Sequence, residues 1–242
     1  MKIGLDAGHF LFTAGKRTPD GMHEWSFNSV VASYISDELK WYIDVETLRV
    51  DDTTGAVDVS LQDRTDKANK WGANAYISIH ANAYGSGGWN NVGGIETFVH
   101  SSNPREAYQL AKLVQENLIK DTKRSNRGIK TANFAVLRST NMTAILVECG
   151  FMTNKEEASF LKSDAYRKTC ASAIVKGLAA MYGLKKREVV KVAEYNDVSS
   201  WAVDAQKWVK EQKISDGAGP KELATREQIW TMLWRSAGSP KV

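Results

Sequence analysis

The chain has 242 residues, 43% hydrophobic and 25% charged, with a formal net charge of +4. These values are ordinary for a water-soluble globular chain, and a chain of this length can bury its own core without disulfide staples. The charge is too small to argue for a nucleic-acid partner. No stretch approaches the roughly 20 apolar residues of a membrane span, and the two cysteines, Cys149 and Cys170, make no disulfide framework.

In chain order, Lys2 to Asp6 reads as a short buried strand that closes on His9 (GLDAGH). The apolar stripe Phe27, Val30, Val31, Tyr34, Ile35 and Leu39 predicts a helix opened by Glu24. Strands are expected at Asp44 to Val50, Ala75 to His80, Gly94 to Val99 and Ala144 to Glu148, with a weaker one at Ala135 to Leu137. Helical stripes recur at Ala107 to Leu118 and Tyr166 to Met181. Strands alternating with amphipathic helices predict an α/β fold with a mostly parallel sheet flanked by helices. In such sheets, sites gather outside the carboxyl ends of strands.

Gly183 is placed to cap the last helix of this region, and the charged stretch 184–196 reads as a linker. From Lys185 onward there are 11 Lys/Arg against 8 Asp/Glu, so the tail holds most of the positive charge. Residues 197–242 read as a small helical domain. One helix lies within Ser200 to Lys213, with Trp201, Ala205, Trp208 and Val209 on one face. The turn SDGAGP follows, then a helix from Thr225 to Arg235 with Thr225 as N-cap and Ile229, Met232 and Leu233 on its buried face.

Two of the four histidines follow strands, His9 and His80, and Glu148 ends another. A parallel sheet can bring them to one edge with Glu24. Two imidazoles and a carboxylate suit Zn²⁺ with a position left for water, and a further carboxylate can move that water's proton. Each residue also has a plainer reading. Glu24 can be a first-turn glutamate favoured by the helix dipole, and Glu148 can pair with Arg64 or Arg138. No local motif such as HExxH decides between these readings. Cys149, next to Glu148 on a strand, is expected to face the core.

The stretches DAGH at 6–9, LQDRTDKANKWGANAYISIHAN at 61–82, GIETF at 94–98 and AILVECGFMTN at 144–154 occur in this order. Together with Glu24 they resemble the zinc-type N-acetylmuramoyl-L-alanine amidases over residues 1–183. The resemblance implies His9, Glu24 and His80 as zinc ligands and Glu148 as the catalytic acid/base. It implies hydrolysis of the amide between N-acetylmuramic acid and L-alanine of peptidoglycan by zinc-activated water. His23 could stand in for Glu24; the family pattern favours Glu24. Asn82 and Arg64 are candidate substrate-binding residues. A zinc peptidase acting on the stem peptide and a non-catalytic wall-binding module are the alternatives.

The tail, YNDVSSWAVDAQKWVKEQKISDGAGPKELATREQIWTMLWR, is similar to one S-layer homology repeat. That similarity implies binding of a Gram-positive secondary wall polymer, with Thr225 and Arg226 in the ligand-binding positions. A hairpin that docks on the enzyme or forms a homodimer is the alternative. The N-terminus, MKIGLDAGHF, lacks the pattern of a secretory signal. The expected arrangement therefore resembles a phage or prophage endolysin, made in the host cytoplasm and acting at the bacterial cell wall after release.

Overall fold

The computed structural model describes residues 1–187, 202–216 and 226–238. The chain divides into two compact units, Met1–Arg187 and Glu188–Val242.

The first unit is built on six strands: β1 (Lys2–Ala7), β2 (Glu46–Arg49), β3 (Ala75–Asn82), β4 (Ile95–His100), β5 (Asn126–Ala132) and β6 (Thr143–Phe151). Their order across the sheet is β2-β1-β3-β6-β4-β5. Neighbours β2, β1, β3 and β6 are parallel. β4 runs antiparallel to β6, and β5 follows β4 in parallel. The sheet is mostly parallel and flanked by helices, as the alternating pattern predicts.

Helices α1 (Glu24–Leu39), α2 (Leu61–Trp71), α3 (Arg105–Thr122), α4 (Ala135–Arg138), α5 (Lys155–Lys162) and α6 (Asp164–Tyr182) complete the unit. The two faces of the sheet are covered unequally. On one, Phe27, Val31 and Ile35 of α1, Leu110 and Val114 of α3, and Ile174 and Leu178 of α6 pack on Ile3, Leu5, Ile77, Ile79, Ile145 and Val147. On the other, α2 and α4 offer Ala68, Val136 and Leu137, with half-buried Trp71, to a smaller cluster with Val50, Tyr76, Ala144 and Leu146. The second face is therefore covered only in part. His80, Glu148 and Glu96 lie on it beyond those helices, because side chains alternate along a strand.

Two expectations change. Ala135–Leu137 is the helical turn α4, closed by Leu137 N–H and Arg138 N–H donating to Phe134 C=O at 3.0 and 2.9 Å. An apolar run of three residues carries no period that separates strand from helix. β5, not foreseen, is an edge strand with one apolar residue facing the core, Ile129, and it pairs only with β4.

In the second unit, α7 (Val203–Glu211) falls within the first predicted helix, and α8 (Arg226–Ser236) matches the second but runs one residue past its expected end. Ile229 and Leu233 are exposed and Met232 is half-buried, so the expected buried face is open among the described residues. Helices of 9 and 11 residues enclose little between them; Ile214, just after α7, is the buried apolar residue described here. Thr225 lies outside the described residues. Among the described residues no helix is long and apolar enough to cross a membrane.

Candidate metal and catalytic site

The site begins at the carboxyl end of β1. Asp6 is buried and accepts hydrogen bonds from Arg64 Nη1 and Ser78 Oγ, both at 2.7 Å. Arg64 also donates to Ala7 C=O and His9 C=O, each at 2.7 Å, and to Val59 C=O at 2.9 Å. At 2% exposure its guanidinium faces inward. The expectation of substrate contact at Arg64 is thus corrected: the side chain is spent on fixing the segment that carries His9. A buried charge is tolerated here because it is both paired and hydrogen-bonded.

The two residues after Ala7 turn the chain. Gly8 donates to Ile79 C=O at 3.0 Å, and a Cβ on it would lie 2.1 Å from the His80 ring. Only glycine lets the two strand ends approach so closely. His9 follows with φ +67°, the left-handed region, which is uncommon for a side-chain-bearing residue. Its Nε2 stands 3.3 Å from Glu24 Oε2.

Glu24 is the first residue of α1 and is 2% exposed. Its Oε1 lies 2.9 Å from His80 Nδ1 and accepts from Ala81 N–H at 3.2 Å and Asn28 Nδ2 at 3.3 Å. The rings of His9 and His80 meet edge-on, with centroids 5.1 Å apart. Nitrogens of His9 and His80 and a carboxylate oxygen of Glu24 lie within 4.8 Å of one another, a group able to hold a metal ion. Burial opposes ionisation of Glu24, but the hydrogen bonds from His80 and His9 prevail and hold its carboxyl far below the usual range. For His80 the balance is reciprocal: burial lowers its pKa, the Glu24 carboxylate overrides this, and the net shift is upward. His23, the alternative ligand, is the residue before α1. Its ring stacks edgewise near Phe12, and its Nδ1 is buried without a protein partner.

Glu148 sits on β6 directly beside His80 in the parallel register of β3 and β6. The residue is half-buried, and its Oε2 is fully buried with no hydrogen-bond partner. Burial raises its pKa; His80 opposes this, while the negative charges of Glu24 and Glu96 add to it, and the result is about 8. A carboxyl poised near neutrality in a cleft is the pattern of a proton-transfer group. Cys149 points the other way into the core, as alternation requires. Contact with the Cys170 thiol and burial push its own thiol well above the usual range.

Glu96 went unnoticed in the sequence beyond its place in GIETF. It faces Glu148 across the antiparallel β4–β6 pair. Its buried carboxylate accepts from Arg127 Nε at 2.6 Å and Lys130 Nζ at 2.5 Å, both on β5, and from Asn82 Nδ2 at 2.8 Å. Asn82 therefore lies beside the site, engaged with Glu96. His100, at the far end of β4, bonds Ser102 and Asn133 and belongs to the opposite edge of the sheet. Trp89 and Tyr84, in the loop after β3, are exposed. Arg226 opens α8.

Comparison with known proteins identifies the family. A family profile described as N-acetylmuramoyl-L-alanine amidase matches residues 3–180. The N-acetylmuramoyl-L-alanine amidase CwlM of Bacillus licheniformis is 34% identical over 189 residues, covering 77% of this chain and 70% of that protein. The endolysin of Bacillus phage SPP1 is 31% identical over 192 residues, covering 76% and 67%. The crystal structure of an N-acetylmuramoyl-L-alanine amidase from Clostridium difficile 630 superposes with a TM-score of 0.69 at 32% identity, covering 74% of this chain and 95% of that one. The chain belongs to the N-acetylmuramoyl-L-alanine amidase family of peptidoglycan hydrolases.

Proposed function

We propose that the first unit is a zinc-dependent amidase that cleaves the bond between the lactyl group of N-acetylmuramic acid and the L-alanine of the stem peptide. His9, Glu24 and His80 hold the metal, and Glu148 is the acid/base. The observation that carries this reading is the convergence of two imidazoles on one buried carboxylate, one strand from a second carboxyl oxygen that is buried without a partner. Two nitrogens and one oxygen form a donor set that zinc accepts with a coordination position to spare. Zinc bound there supplies Lewis acidity toward the scissile carbonyl and toward water.

The remaining chemistry falls to the chain. Glu24 stays anionic and orients both imidazoles. Glu148 takes a proton from the attacking water and delivers it to the departing L-alanine nitrogen, which leaves as an amine. The Arg64–Asp6 pair keeps His9 in register during this exchange. Digestion of purified walls by the wild type and Glu148→Ala, followed by mass spectrometry, tests the assignment. The expected products are glycan strands freed of stem peptide and peptides with a free L-alanine amine, with loss of both in the variant. Products that keep the stem peptide on muramic acid, with other termini released, would indicate a peptidase instead. Equal digestion by Glu148→Ala would remove that residue from the mechanism. A chelator is expected to stop digestion and added zinc to restore it.

For the whole chain we propose residues 1–183 as the catalytic domain, 184–196 as a linker and 197–242 as a wall-binding domain. In this scheme Thr225 and Arg226 contact an anionic secondary wall polymer. Similarity to the SPP1 endolysin supports a lysin that reaches the wall once the membrane is breached. Sedimentation with walls before and after removal of the secondary polymer tests the targeting role, and Thr225→Ala/Arg226→Ala is expected to release the protein. Its elution volume on sizing tests the alternative that the tail pairs two copies.

A further inference from the structure

We propose that Arg127 and Lys130, held by Glu96, form a carboxylate-binding subsite that reads the stem peptide beside the scissile bond. The inference rests on the amidase reading of Glu148 given above. His80, Glu148 and Glu96 are register neighbours on β3, β6 and β4, so their side chains share one face of the sheet. That line ends at β5, where Arg127 and Lys130 both close on the Glu96 carboxylate. Two cations share one buried anion, which leaves one positive charge in excess. The Glu96 side chain is 4% exposed, whereas those of Arg127 and Lys130 are 32% and 39% exposed. The cations therefore present themselves to solvent while their partner does not.

Their surroundings favour an incoming anion. Arg127 lies over the Phe151 ring at 4.9 Å and Lys130 near the Phe98 ring at 6.0 Å, so both are backed by low-dielectric groups. Besides Glu96, Arg127 has Gly93 C=O at 3.4 Å as its other acceptor among the described residues. The outer edge of its guanidinium is thus available for the paired hydrogen bonds that a carboxylate accepts.

Distance selects which carboxylate. Adjacent strands are about 4.8 Å apart, so β5 lies about 10 Å from β6, and the two side chains lean back toward Glu96. Two extended residues span about 7 Å. In peptidoglycan the residue after L-alanine is D-glutamate, linked onward through its γ-carboxyl, and its α-carboxylate is free unless amidated. That group falls within reach when the scissile amide is at Glu148. Carboxylates further along the stem lie at least one more residue away.

The test uses the full-length zinc-loaded protein and three muramoyl tripeptides. One carries the D-glutamate α-carboxylate, one its α-amide, and one the free α-carboxylate with an amidated C-terminus. The wild type is expected to favour the first over the second by about tenfold in kcat/KM, the scale of a charge-assisted hydrogen bond, and to treat the first and third alike. In Arg127→Met/Lys130→Met the preference is expected to vanish through KM. The exchanged pair Arg127→Lys/Lys130→Arg is expected to keep it. A purely structural role in neutralising Glu96 would lower the rate on all three substrates equally and would overturn the proposal. So would equal wild-type turnover of acid and amide, or a preference that follows the C-terminal carboxylate. No turnover of any substrate by the wild type would overturn the amidase reading and this proposal with it.

Discussion

Gly8 and Glu148 are single residues whose chemistry can be set against their cost. Gly8 has no left-handed φ to defend, so alanine there is acceptable to the backbone. The obstacle is the His80 ring, 2.1 Å from the position of the new methyl. The ring must move, and a displacement near 1 Å in a catalytic group costs on the order of 100-fold in rate. Gly8→Ala is expected to lose about that much kcat/KM while keeping a native circular dichroism spectrum; near-wild-type activity would mean that the His80 ring is not constrained as described. Glu148 carries the opposite kind of cost. Its pKa rises from the ordinary carboxyl value of 4.5 to about 8 in the folded protein without metal, first through burial. The folded state therefore holds a proton that the unfolded state releases. Stability from this group is present below pH 4.5 and is lost as pH rises toward 8. Glu148→Gln escapes that loss. Metal-free Glu148→Gln is expected to be more stable than metal-free wild type by about 1–3 kcal/mol at pH 8, with the gap closing near pH 4.5 and activity lost throughout. Denaturant titrations across that range check it, and parallel curves for the two proteins would contradict the placement of Glu148.

Elements explain why some of this was readable in the sequence and some was not. β1, β3 and β6 are buried runs ended by His9, His80 and Glu148, and a polar residue ending an apolar run marks itself. α1, α3 and α6 declare themselves by a stripe, because they cover the thick side of the sheet. α2 and α5 were not separated as helices, since α2 buries only Arg64, Thr65 and Ala68, and α5 only Glu157, Ala158 and Leu161. β5 hides for the same reason at the sheet edge. With β5 unseen, Arg127 and Lys130 had no visible connection to Glu96, and Glu96 looked like one polar residue in an alternating strand. In the sequence Arg64 is a candidate for contact with substrate or with Glu148, and only tertiary structure shows its four acceptors. Helix packing supplies a further test. A Cβ on Gly177 of α6 would stand 2.6 Å from a Val114 methyl and 2.9 Å from the Val114 backbone of α3. The backbone cannot rotate away as a side chain could. Gly177→Ala raises helix propensity, yet overpacking at a backbone contact should outweigh that gain and destabilise by about 1–3 kcal/mol. A lowered midpoint in urea with an unchanged slope is the expected result, and a raised midpoint would show that α3 and α6 are not in such close contact.

At the scale of the whole molecule, the proposed metal ligands and acid/base tie together segments that are far apart in the chain. His9, Glu24 and His80 come from β1, α1 and β3, and Glu148 from β6, so one ion would link the first third of the chain to the centre of the sheet. Such a group does not exist in the unfolded chain, and binding energy at the site is therefore folding energy. At a metal concentration about 1,000 times the dissociation constant, the gain is about 4 kcal/mol. For a unit of this size each kcal/mol moves the melting temperature by about 2–4 °C, so chelation is expected to lower the main transition by roughly 8–16 °C. Acid should erode the same gain. Both imidazoles must be neutral to ligate, and Glu24 raises the pKa of His80 above its ordinary 6.5, so protons compete with the metal from above that value downward. Calorimetry of the full chain with and without zinc, at pH 8 and pH 5.5, checks this. The zinc-dependent difference should be large at pH 8 and small at pH 5.5, and Glu24→Gln should abolish it at both. Residues 188–242 form a separate compact unit, and the group able to hold a metal among the described residues is made of His9, Glu24 and His80 alone. A transition from that unit should be indifferent to zinc. A zinc effect that survives Glu24→Gln would place the ion elsewhere and overturn the assignment of the three ligands.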